Sequence, residues 1–245
     1  MPGYTTIEFE IEDGVGTVWL NRPEKRNALV HETYFELDDV LRLANDDDDI
    51  KVLLLRGRGE SFCAGGDLNM LEGEVGSVAT SLAINQRTAH TFSRLQEMRK
   101  PTVAVVHGHA VAGGFELMLN TDFAISTTTA KIGDFHITRA LFGGGGPIYR
   151  LPRIMGMRRA KELILTGKLI SGVEAERLDL VNVAVEPENL EEAVRAFIKP
   201  MLSLSPFVMW VTKLALNRGL DGDTTTLMAM EHLASVVVHQ STDSK

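Results

Sequence analysis

Hydrophobic and polar positions alternate from the start of the chain. In YTTIEFEIEDGVGTVWLN, Tyr4 to Asn21, apolar side chains recur at about every second residue on both sides of Asp13-Gly14. That period, with a two-residue turn signal at its centre, predicts two strands joined as a hairpin. The period then lengthens. In HETYFELDDVLRLAND, residues 31–46, Tyr34, Leu37, Val40 and Leu41 share one helical face. KVLLLRG, residues 51–57, is an unbroken apolar run of the kind a sheet buries on both sides. A second helix is expected from Leu82 to Met98, and a second buried strand in TVAVVHG. HAVAGGFELMLNTD turns through two glycines into a short helix, and FAIST forms a further strand. From RRAKELILTG onward the pattern is mostly helical, interrupted by the strand-like LVNVAV. Three helices close the chain: LEEAVRAFIKPML, PFVMWVTKLALNRG and TLMAMEHLASVVVH. The middle one is apolar over much of its surface, which predicts packing on more than one side and therefore subunit contact. The acidic run Asp46 to Asp49 reads as a solvated loop, and a polar, glycine-containing stretch, NMLEGEVGSVATS, precedes the second helix. A strand, strand, helix rhythm occurs twice in the first part of the chain, without enough likeness to make a repeat.

Composition narrows the function classes. With 245 residues, 44% hydrophobic and 24% charged, the chain has the make-up of an ordinary globular protein. A net charge of −8 and a pI near 5.4 argue against nucleic acid, whose phosphates call for a basic face, and against an anionic membrane. Cys63 is the only cysteine, so no internal disulfide can form and a reducing compartment is expected. No leader pattern and no apolar run of spanning length is found, so a soluble cytoplasmic protein is expected.

Two stretches carry candidate chemistry. SFCAGGDL follows the first buried strand and AVAGGFELMLNTD the second; both hold Gly-Gly and both lead toward a helix, where backbone N–H groups are unpaired. Brought side by side, two such turns present converging main-chain donors, an arrangement suited to a carbonyl oxygen gaining negative charge. Glu116, inside the otherwise apolar GGFELML, is the candidate acid or base; the alternative is a charge complementing the helix start. Apolar surroundings would raise its pKa, and the helix dipole pulls the other way. Cys63 lacks an evident base and is not read as a nucleophile. His107 and His109 lack partners at ligand spacing, so no metal site is expected.

These motifs resemble the enoyl-CoA hydratase/isomerase, or crotonase, family. The likeness rests on LNRPEKRNAL, FCAGGDL, KPTVAVVHGHAVAGGFELMLNTDFAIS and the stretch from AKIGDFHITRALFGGGGPIYRLPRIMG to LVNVAV, in the family's order and spacing. The resemblance implies an α/β fold, a spiral of ββα units, with an acyl-CoA-binding core over residues 1–188. It also implies a C-terminal helical region, residues 189–245, that assembles trimers or pairs of trimers. The substrate would be an acyl-CoA thioester, with no further cofactor. Position by position, the two oxyanion donors fall on the N–H groups of Gly66 and Gly113. The adenine-binding backbone falls on Ala64, Gly65, Asp67 and Leu68, and Lys25 and Arg26 lie where the family approaches the CoA phosphates. Glu116 matches the first catalytic carboxylate of the hydratases.

The resemblance breaks at the second carboxylate, where this chain has His136. A histidine can still exchange a proton near neutrality, so Glu116 with His136 could hydrate an enoyl thioester. It could equally serve isomerisation, decarboxylation or carbon–carbon hydrolysis, or be a pocket histidine in a relative that binds acyl-CoA without turnover. A related carbon–carbon hydrolase branch also has histidine here, but its catalytic aspartate falls on Gly145. Asp134 is placed to orient the imidazole or to point away from it. The run Phe142 to Gly146 is expected to shape the pocket near the acyl group. Relatives continue beyond VVVHQSTDSK with a basic, aromatic tail over CoA, so that cover is expected to be absent or supplied by another subunit.

Overall fold

A computed structural model describes residues 3–73 and 78–241. The hairpin appears as expected: β1 (Ile7–Glu12) pairs antiparallel with β2 (Val15–Leu20). Its turn is made by Asp13 at φ 48° and Gly14 at φ 82°, the left-handed pair a tight two-residue connection needs. Next come α1 (His31–Asp46), β3 (Val52–Gly57), α2 (Leu68–Gly73), α3 (Val78–Glu97) and β4 (Thr102–Val106). They are followed by β5 (His109–Val111), α4 (Gly113–Leu119), β6 (Phe123–Thr127) and β7 (Lys131–Gly133). The remaining elements are α5 (Pro147–Met155), α6 (Met157–Thr166), β8 (Ile170–Ser171), α7 (Gly172–Arg177), β9 (Val183–Val185), α8 (Leu190–Leu202), α9 (Pro206–Arg218) and α10 (Thr224–Gln240).

Six strands form one sheet in the order β1-β2-β3-β4-β6-β9, parallel from β2 onward. The unbroken apolar runs follow from burial on both faces. In β3, Leu53 and Leu55 point to the main core with α1, α3 and α4, whereas Val52 and Leu54 point to a second core. That second core is closed by Leu190, Val194 and Ile198 of α8. The face predicted for α1 is buried as expected, with Thr33, Glu36 and Ala44 added. A smaller sheet, β5-β7-β8, stands beside the first.

One boundary needs correcting, and three short strands go beyond the sequence expectations. The polar stretch after SFCAGGDL carries the helix Leu68–Gly73, and α3 begins at Val78, four residues before the expected start; residues 74–77 lie outside the described residues. β5, β7 and β8 are two or three residues long and show no period of their own, so pairing between distant segments creates them. No residue of α9 is buried, and Leu216 of that helix and Leu233 of α10 are 72% and 68% exposed. Within one chain, then, α9 has one face against the body and the rest open. Among the described residues no single helix is long and apolar enough to cross a membrane. The end at VVVHQSTDSK falls partly outside the described residues.

Candidate active site

The two glycine turns meet. The loop after β3 is laced to β4 and β5: the N–H groups of Phe62 and Cys63 donate to His107 and His109 carbonyls at 2.8 Å, and that of Val111 to the Cys63 carbonyl at 3.1 Å. On its other side, Leu29 N–H donates to Gly65 O and Asp67 N–H to Leu29 O, both at 2.8 Å. Among the described residues, the N–H groups of Gly66 and Gly113 donate to no backbone carbonyl. They are neighbours, since a Cβ built on Gly113 would stand 3.5 Å from the Gly66 nitrogen. The approach requires Gly65 at φ +95°, where a Cβ would come within 2.9 Å of the Ala112 methyl. Ala112 turns the chain into α4 at φ 49°, ψ −121°, a conformation L residues seldom hold, and one that sets the direction of the next amide.

Glu116 stands one turn into α4, 4% exposed. Among the described residues its carboxylate accepts one hydrogen bond, from Gly145 N–H to Oε1 at 2.7 Å. Burial pushes its pKa up to about 7, although the His136 charge and the Gly145 bond pull it down. A second buried carboxylate shows the contrast: Glu36 accepts four bonds from Thr5 and Thr6, and these outweigh its burial and hold it below the usual value. Glu36 is satisfied and structural, whereas Glu116 is poised to exchange a proton near neutral pH.

Asn120, one helical turn after Glu116, fixes that arrangement. Its Nδ2 donates to the Gly145 carbonyl at 2.6 Å and to the Glu116 carbonyl at 2.7 Å, and its Oδ1 accepts from Gln96 of α3. Gly145 has no room for a side chain: a Cβ would lie 2.2 Å from the Phe92 ring and 2.7 Å from the Glu116 carboxyl carbon. A carboxylate such as the carbon–carbon hydrolase branch carries there does not fit this packing.

His136 opens a short 3-10 helix, His136–Arg139, and Asp134, 4% exposed, turns toward it. Asp134 Oδ1 is hydrogen-bonded to His136 Nδ1. Burial alone would hold the imidazole pKa down, but the bond to Asp134 and the charges of Glu116 and Asp134 raise it above its usual value. With Nδ1 committed to Asp134, Nε2 is the nitrogen left for a ligand. A Cβ at Gly143 would be 3.0 Å from each of Asp134 Oδ1, Glu116 Oε1 and His136 Nδ1, so the three groups surround one point.

All four residues predicted for chemistry, Gly66, Gly113, Glu116 and His136, line one open cleft of about 1520 Å³. Lys25, Arg26, Ala64, Asp67 and Leu68 line it too, whereas Gly65 does not and serves the close approach of the turns. Two pins hold this wall. Arg22 bridges Asp67 at 3.1 Å, and buried Asn27 accepts from Arg22 N–H and donates to the Arg58 and Ser61 carbonyls. Phe142 and Gly144 of the glycine-rich run also line the cleft. Cys63 is fully buried, with its thiol pushed up to about 12 by desolvation. Among the described residues no group of three or more His, Cys, Asp or Glu side chains is placed to hold a metal ion. Sequence reading missed Asn120, Gln96, Arg22 and Asn27. Asn120 stands just past the end of α4, where an asparagine reads as an ordinary helix stop.

Residues 10–245 match the family model described as enoyl-CoA hydratase/isomerase. The chain is 33% identical to a crotonyl-CoA hydratase of Syntrophomonas wolfei, over 99% of this chain and 93% of that protein. It is 36% identical to the human mitochondrial enoyl-CoA hydratase domain-containing protein 2, over 90% of this chain and 76% of that one. The crystal structure of an enoyl-CoA hydratase from Bacillus anthracis superposes with a TM-score of 0.92 at 32% identity, covering 98% of this chain and 93% of that one. The chain has the crotonase fold and belongs to the enoyl-CoA hydratase/isomerase family.

Proposed function

We propose that this protein adds water across the double bond of a 2-enoyl-CoA thioester. The observation that carries the reading is the pair of neighbouring amides, Gly66 and Gly113, beside the buried carboxylate of Glu116. The thioester oxygen accepts from both amides and gains negative charge as the enolate develops. Removing one such donor typically costs about 2.7–4 kcal/mol of transition-state stabilisation. Glu116 takes a proton from water as the hydroxyl adds to the β carbon, and the imidazolium of His136, steadied by Asp134, returns a proton to the α carbon. CoA lies along the wall made by Lys25, Arg26 and Ala64 to Leu68. The open faces of α9 and α10 support assembly into trimers or pairs of trimers, and the single buried thiol is consistent with a cytoplasmic location.

Crotonyl-CoA tests the reading: loss of enoyl-thioester absorbance with formation of a 3-hydroxyacyl-CoA is expected, and Glu116→Gln should abolish it. Tight CoA binding with no turnover of any thioester would refute catalysis. Because His136 replaces the usual second acid, the same enolate also serves double-bond isomerisation or decarboxylation. A product with a displaced double bond would favour that second reading.

A further inference from the structure

The His136–Arg139 helix carries a second group into the cleft. A 3-10 helix has three residues per turn, so Arg139 lies directly above His136 on the same face, about 6 Å along the axis. Both residues line the cleft. Among the described residues the Arg139 side chain has no hydrogen-bond or ion-pair partner. The carboxylates that share the cleft are otherwise engaged or distant from it: Asp67 is bridged by Arg22, Glu116 is bonded to Gly145, and Glu24 precedes Lys25 at the end assigned to CoA. The α3 wall of the cleft is mixed, with Ser81, Asn85 and Thr88 lining it beside Val78, Leu82 and Ile84. Asn85 reaches the glycine-rich loop, its Oδ1 3.3 Å from where a Cβ on Gly144 would sit. A plain hydrocarbon tail entering here would meet the apolar side chains but leave the exposed Arg139 guanidinium, the cation at this end of the cleft, without a partner.

We propose that the acyl group bound here ends in a second carboxylate and that Arg139 is its partner, which makes the substrate class the mono-thioesters of short dicarboxylic acids. The inference rests on the acyl-CoA reading of the same site. Guanidinium and carboxylate pair through two parallel hydrogen bonds, and the turn of 3-10 helix between Arg139 and His136 matches the reach of a chain of a few carbons from the reacting centre. Leu82 of α3 and Leu141 cover the methylenes between.

The test uses two saturated analogues that cannot be hydrated, glutaryl-CoA and butyryl-CoA, titrated by calorimetry into the whole protein and into Arg139→Gln. Glutaryl-CoA is expected to bind at least about tenfold tighter than butyryl-CoA. Arg139→Gln should erase that preference and leave the butyryl-CoA affinity within about twofold, as expected for a partly hydrated side chain whose loss removes one ion pair. Equal or tighter binding of butyryl-CoA overturns the proposal. So does an equal loss for both analogues, which would put Arg139 on the CoA portion they share. If neither analogue binds, the acyl-CoA reading itself falls, a result distinct from binding without preference.

Discussion

Replacing Glu116 by glutamine should stop turnover and stabilise the protein. Folding carries this carboxyl from an ordinary value of 4.5 up to about 7 because burial disfavours the charge. The folded state therefore retains a proton that the unfolded chain has already released. Stability falls as pH rises from about 4.5 to about 7 and stays lost above that. At about 1.36 kcal/mol per pH unit, the loss comes to about 3 kcal/mol. Glutamine keeps the oxygen that accepts from Gly145 N–H and carries no charge to bury. At pH 8 the variant should thus be more stable by up to about 3 kcal/mol, roughly 6–12 °C in Tm for a chain of this size. Below pH 4.5 the two proteins should converge. Urea unfolding followed by circular dichroism at pH 8 and pH 4.5, at fixed protein concentration, measures both differences. A variant no more stable than the parent at pH 8 would show that Glu116 ionises in the fold at no cost, and the argument for its role as a tuned base would fail.

Gly113→Ala places a methyl 3.5 Å from the Gly66 nitrogen and 3.2 Å from the flexible end of Leu29. Thermal stability should change by less than about 1 kcal/mol, since alanine suits a helix start better than glycine. kcat/KM should nevertheless fall about 10²–10³-fold as the methyl crowds the oxygen out of the amide pair; a loss under threefold in a steady-state assay argues against the two-amide site. Asp134→Asn removes the partner that raises the His136 pKa, so the alkaline limb of the pH–kcat profile should move to lower pH. An unmoved limb would show that His136 does not act through Asp134.

How far the sequence speaks depends on whether a feature has a period or a partner. The hairpin, α1 and β3 are legible because burial stamps a spacing of two, or of three and four, onto the residues themselves. The donors at Gly66 and Gly113 are legible as glycines after buried strands, although nothing local in either stretch says that the two turns meet. β7 and β8 cannot be read this way, because a strand of two or three residues is decided by its neighbour. Asn120 is invisible for a related reason: its value lies in clasping Gly145, 25 residues on, and one asparagine near the end of a helix looks like an ordinary stop signal. Asp134 sits two residues from His136, yet only the folded loop brings its carboxylate onto the ring nitrogen.

Cys63 has a practical value unrelated to catalysis. Its sulfur is sealed beneath the turn that carries Gly65 and Gly66, donating to the Asn27 carbonyl at 3.1 Å. A thiol-reactive dye finds no other target in the chain and cannot reach this one until that turn lifts. The speed of labelling is therefore a built-in clock for how often the turn carrying Gly65 and Gly66 comes apart, readable without introducing a single foreign residue.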